Sequence, residues 1–143
     1  MIILDTNVVS ELMRPKPSPH VAAWVAKQPA AELFTTSITE AEVFYGIELL
    51  TAGKRRTGLL AAAEGMFAED FGDRICDFDS DAARVFSRIA AHRRARGKPI
   101  SHADAQIAAI VRARGAKLAT RNVADFEDCD IEIVDPWSGV VNM

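Results

Sequence analysis

Only two cysteines and three histidines occur among the 143 residues, which leaves little material for soft-ligand metal sites or thiol chemistry. Cys76 and Cys129 stand far apart without C-x-x-C spacing and read as small core residues. His20, His92 and His102 show no ligand spacing with them, which argues against a thiolate zinc site. No serine, cysteine or histidine set presents itself as a nucleophilic triad. Long apolar runs are missing too: nothing approaches the roughly 20 residues that cross a bilayer. Asp5 and Glu11 interrupt the N-terminus where the apolar core of a signal peptide would lie. A cytoplasmic protein without a membrane partner is expected. There is no Gly-rich phosphate loop, no repeat and no low-complexity tract. Net charge is −3, so the surface as a whole does not advertise nucleic-acid binding.

What is present suits one soluble globular unit. Hydrophobic residues make up 49% and charged residues 26%, and the length fits a single domain over 1–143 with one core. Pro and Gly punctuate short connections only. Between them, short apolar strands ("IIL", "ELFTT", "AKLAT", "IEIVD") alternate with helical stretches ("VVSELM", "SPHVAAWVAK", about 38–51, 55–69 and 80–96, "SHADAQIAAIVRAR"). That alternation predicts an α/β fold: a short central parallel sheet of four to five strands with helices on both faces. The interval from "FTT" to "KLAT" reads as all helix. In such sheets sites form beyond the carboxyl ends of the strands, and three strands end in polar groups there: Asp5-Thr6-Asn7, Thr35-Thr36-Ser37 and Thr120-Arg121-Asn122, with Asp125 shortly after.

Each acid near these ends has a local explanation and a functional one. Asp5 could cap the helix that follows it. Ser37 and Glu40 fit a capping box. Glu42 lies at the edge of the apolar face of Val43, Ile47 and Leu50, one turn before Gly46, whose missing side chain invites close packing by another element. Asp104 could complete a box with Ser101, yet it is in register with Ile107, Ala108 and Val111 and so should point inward. Asn122 and Asp125 compete for one role after the strand. Several carboxylates in one pocket repel each other unless a cation or protons neutralise them. All-oxygen ligation without Cys or His suits a hard divalent ion, Mg²⁺ or Mn²⁺, and with it the hydrolysis of a phosphodiester.

In this order "ILDTNVVSEL", "ITEAEVFYGI", "SHADAQIAAI" and "LATRNVADF" resemble the PIN-domain ribonucleases, and the chain is most similar to VapC-type toxins of the FitB-like branch. "MIILDTNVVSELMRPKP", the "QPA…LFTTSITEAE" block and the closing "DPWSG" carry the likeness to that branch. The resemblance implies a PIN fold and a metal-dependent endoribonuclease toxin that cuts RNA. It also implies a homodimer held inactive by a cognate antitoxin, which inserts a segment into the acidic groove and contacts operator DNA through its own DNA-binding domain. By position, Asp5, Glu42 and Asp104 match the metal-binding acids, and Thr6 and Asn7 match the polar groups after the first acid. Thr120, Asn122 and Asp125 are further candidate ligands or orienters. Many members carry a fourth acid where this chain has Asn122, so one firmly bound ion is expected, with a second recruited by substrate.

RNA must bring phosphates to such a pocket, so cations should flank it. Arg93, Arg94, Arg96 and Lys98, just before the Asp104 helix, are the candidates; the bland reading of this run and of "GKRRTG" is a solvated helix end. Two rival functions remain. An aspartate-dependent phosphohydrolase would want a second acid at position 7, where Asn stands, and a lysine after "KLAT", where Arg121 stands. A catalytically weak partner-binding domain is the other.

Overall fold

The computed structural model describes the backbone of residues 1–142 and the side chains of residues 1–139. Six strands form one sheet: β1 (Ile2–Leu4), β2 (Leu33–Thr36), β3 (Ile75–Cys76), β4 (Lys117–Ala119), β5 (Glu132–Asp135) and β6 (Val140–Asn142). Their order is β3-β2-β1-β4-β5-β6. The first five run parallel, as expected, and β6 adds an antiparallel edge beside β5. Among the described residues six α-helices surround it: α1 (Thr6–Leu12), α2 (Pro19–Ala26), α3 (Ser37–Glu48), α4 (Lys54–Gly65), α5 (Ser80–Ala95) and α6 (His102–Ala113). None is long and apolar enough to cross a membrane.

The period of two along each strand divides the core into two layers. Ile3, Leu118 and Ile133, which lie side by side in register, face one layer with Ile89, Ile107 and Ile110. Leu4, Ala119 and Val134 face the other with Val8, Val9, Val43 and Phe67. Burial on both faces is why these strands read as continuous apolar runs. Pro19 opens α2 at its first turn. Gly115, at φ +62, ends α6 in the left-handed conformation that a side chain disfavours.

Three expectations need correction. The stretch between β2 and β4 is not all helix, because β3 pairs with Thr35 and Thr36. The cap of α3 is Thr36, not Ser37: the Thr36 hydroxyl accepts the Thr39 N–H at 3.0 Å. Gly46 lies on an exposed surface with open space where a side chain would stand, so no element packs against it.

The strand order reverses between β1 and β4: the chain first builds β2 and β3 on one side of β1, then β4 and β5 on the other. Connections therefore diverge at that point and leave a crevice beyond the carboxyl ends of β1 and β4. Asp5 follows β1 and Thr120 follows β4.

Candidate active site

Asp5 is the centre of a polar network that joins three elements. It is 4% exposed. One carboxylate oxygen accepts the Thr6 N–H at 2.8 Å, so the residue does cap α1. The other accepts the Thr120 hydroxyl at 2.8 Å and the Asn7 amide at 3.3 Å. Thr120 is fully satisfied, since its oxygen also accepts from Asn7 Nδ2 at 3.1 Å and from the Asn122 N–H at 3.0 Å. Asn7 Oδ1 accepts the Arg121 N–H at 3.2 Å. The ends of β1 and β4 are thus locked together around one buried acid.

Burial is the largest influence on Asp5 and pushes its carboxyl from the ordinary 3.8 up to about 6. Hydrogen bonds from Thr120 and Thr6 oppose that rise, while the charges of Asp104 and Glu42 add to it. Asp104, half-buried, is shifted upward as well, first by burial and then by Asp125 and Glu42; the Ser101 hydroxyl and the Arg93 guanidinium work the other way. These influences are only possible because the acids share a neighbourhood. Asp5, Glu42, Asp104 and Asp125 have come from four different elements to one rim.

Each reaches it for a local reason. Ser101 caps α6 by accepting the Asp104 N–H at 3.2 Å, so Asp104 sits in the first turn and starts the stripe of Ile107, Ala108 and Val111, all fully buried. Glu42 is exposed rather than buried. Its carboxylate is turned onto the Thr6 hydroxyl at 2.7 Å, and that hydroxyl also meets Thr39 at 3.1 Å. Thr36 and Thr39 are fully buried; Thr36 caps α3, and Thr39 joins α3 to Thr6 of α1. Asp125 lies in the first turn of a short 3₁₀ segment, Val123–Phe126, for which Asn122 is the preceding residue; both side chains are exposed.

The acids gather without closing into a cage. Among the described residues, no three His, Cys, Asp or Glu side chains are close enough to hold one ion as they stand. Glu42 is instead engaged by the Thr6 hydroxyl, and unneutralised carboxylates repel one another. Among the described residues no Lys or Arg is ion-paired to Asp5, Glu42, Asp104 or Asp125. An all-oxygen, uncompensated acidic donor set fits a hard divalent cation better than any soft metal. A cleft of about 860 Å³, lined by Arg88, His92, Arg112 and Phe126 among others, opens elsewhere and includes none of the four acids.

The basic run divides. Arg93 is 6% exposed and is engaged by the main chain: it donates to the carbonyls of Lys98 (2.7 Å), Asp125 (3.0 Å) and Glu127 (2.9 Å). As a candidate RNA contact it is corrected, because the side chain is buried and its Nε and one amino group are given to carbonyls. It instead ties the connection before α6 to the turn that carries Asp125. Arg96 is paired with Asp128 at 2.9 Å, while Arg94 and Lys98 are exposed.

Topology and rim acids together define a class, and comparison with known families agrees: the chain matches the PIN domain over residues 2–131 and belongs to the PIN-domain family. It is 39% identical to VapC ribonuclease Y4jK of Sinorhizobium fredii, over 96% of this chain and 98% of that protein. It is 35% identical to toxin FitB of Neisseria gonorrhoeae, over 96% of this chain and 99% of that one. The solved structure of FitAB bound to an IR36 DNA fragment superposes with a TM-score of 0.89 at 35% identity, covering 96% of both chains.

Proposed function

We propose that this chain is a metal-dependent endoribonuclease toxin of a toxin–antitoxin module, with Asp5, Glu42 and Asp104 as its metal-holding acids and Mg²⁺ or Mn²⁺ as the ion. The observation that carries the reading is the buried Asp5, raised to about 6 with Asp104 and Glu42 contributing to the rise: three like charges drawn together gain most from a shared cation. Similarity along nearly the whole chain to proteins named as VapC ribonuclease and FitB toxin supports it.

When bound, a divalent ion supplies a water activated at neutral pH and stabilises charge in an in-line displacement at phosphorus. The chain's own groups do the positioning. Thr120, Asn7 and the Thr6 N–H fix the orientation of Asp5. Thr6 holds Glu42 at the opening. Asp125, whose charge reaches Asp104, is the better fourth oxygen donor than the uncharged Asn122. The partner is a cognate antitoxin with its own DNA-binding domain, in keeping with FitAB, solved on a DNA fragment; a homodimer of this chain forms the core of that assembly.

The purified protein is expected to cleave RNA with Mg²⁺ or Mn²⁺ and to stop when EDTA is added, while leaving small phosphomonoesters intact. Its expression without antitoxin is expected to arrest growth. Turnover of phosphomonoesters instead of RNA would transfer the site to the phosphohydrolases, and RNA cleavage unaffected by EDTA would refute the metal.

A further inference from the structure

Arg121 stands one residue beyond Thr120, the residue whose hydroxyl holds Asp5. Its own N–H is tied to Asn7 at 3.2 Å, so its main chain belongs to the polar network of the site. The side chain leaves that network for the surface, where its guanidinium carbon lies 5.0 Å from the centroid of the Trp137 ring. Trp137 is itself placed by the turn after β5, where its N–H donates to the Asp135 carboxylate at 2.9 Å, and it packs against the core layer that holds Val8, Val9 and Val43.

This cation–π contact has a chemical consequence. A guanidinium attracted to an indole ring spends its charge on the π face and has five N–H donors for other partners. Arg121 is exposed and makes no ion pair among the described residues. Glu11 feels its charge, but the Glu11 carboxylate is already occupied by the Ser18 N–H at 2.9 Å and Arg14 at 3.3 Å. Elsewhere around the site, Arg93 is engaged by carbonyls and Arg96 by Asp128. Arg121 is therefore an exposed cation set over the Trp137 ring, with its main chain tied through Asn7 to the network around Asp5. A phosphate oxyanion is the ligand that matches an unpaired guanidinium.

We infer that Arg121, braced by Trp137, is an RNA-phosphate subsite that takes a phosphate flanking the one cut. The inference rests on the nuclease reading and deepens it. A chain of net charge −3 with four acids at its rim needs a local cation to admit a polyanion, and a ring contact made before binding lowers the side-chain entropy that ordering would cost.

The test is anisotropy titration of a fluorescein-labelled single-stranded RNA of about 12 nucleotides and mixed sequence. It is run in the Asp5→Asn background with EDTA, so that neither cleavage nor magnesium intrudes. Across roughly 50 to 200 mM KCl, Arg121→Gln is expected to weaken binding about ten-fold and to reduce the slope of log K against log salt by about 0.7, the share of one single-strand phosphate. Trp137→Leu should weaken binding by about three-fold with the slope retained, because charge stays while the brace goes. Arg114→Gln, beyond the opposite end of α6, should change neither. Unaltered affinity and slope in Arg121→Gln, with RNA still cut by the unsubstituted protein in Mg²⁺, overturns the subsite alone. Failure of the unsubstituted protein both to bind and to cut RNA overturns the subsite and the nuclease reading together.

Discussion

Asp5→Asn and Asp104→Asn proteins are expected to lose RNA cleavage by about a thousand-fold or more while remaining folded. A thousand-fold loss corresponds to about 4 kcal/mol of transition-state stabilisation, a reasonable toll for removing a charged ligand when groups one step further from a metal already cost about 10- to 100-fold. Retained folding follows from the environment of each residue. The Asp5→Asn change keeps the side-chain volume and an oxygen to accept the Thr6 N–H, and it removes a charge that burial disfavours. At position 104 the cap of α6 is made by Ser101 and the backbone N–H, which the substitution leaves intact. Gel assays of RNA cleavage paired with melting curves separate the two effects. Loss of folding in step with activity would deny both residues a chemical role.

The second large effect is on stability against pH in the metal-free protein. Because the Asp5 carboxyl lies near 6 in the folded chain and at 3.8 when ordinary, the folded state holds the extra proton between those values. Stability from this group is therefore greatest below about 3.8, falls as pH rises through the window, and reaches its lowest level above about 6, a change on the order of 3 kcal/mol. Asp104, raised in the same sense, adds to the decline. Glu11 and Glu32, lowered by the Ser18 N–H and the terminal amine respectively, act in the opposite direction. Denaturant midpoints of wild type minus Asp5→Asn, taken in EDTA from about pH 4 to 8, isolate the Asp5 contribution. The difference should move against wild type as pH rises, and Mg²⁺ should reverse it by binding the ionised form. A flat difference would mean that Asp5 titrates as an exposed carboxylate does.

Much of this arrangement was legible in residue order. Strands ending in Asp5 and Thr120, and a helix whose apolar stripe opens with Asp104, carry their geometry in the periods of 2 and 3.6. What escaped did so for physical reasons. β3 is two residues long, Ile75–Cys76, too short to show alternation. The cap of α3 slipped by one because Thr36 and Ser37 are both competent caps and only tertiary packing chooses. Arg93 looked solvated inside a basic run, yet it continues the buried stripe of Ala82, Val85 and Ile89 on α5; the register could have exposed it. The approach of Arg121 to Trp137 joins two turns across β5 and leaves no local pattern at all. β6 lies across the turn after β5 and adds a strand that apolar runs alone did not announce.

The most direct measurement is an anomalous-scattering map from a crystal of the protein soaked in Mn²⁺. The account predicts a strong peak bounded by the carboxylates of Asp5 and Asp104, within about 2.0 to 2.2 Å of an oxygen of each, with Glu42 released from Thr6 to face it. A map with its manganese at another acidic cluster, such as Asp77, Asp79 and Asp81, and none beside Asp5 would contradict it.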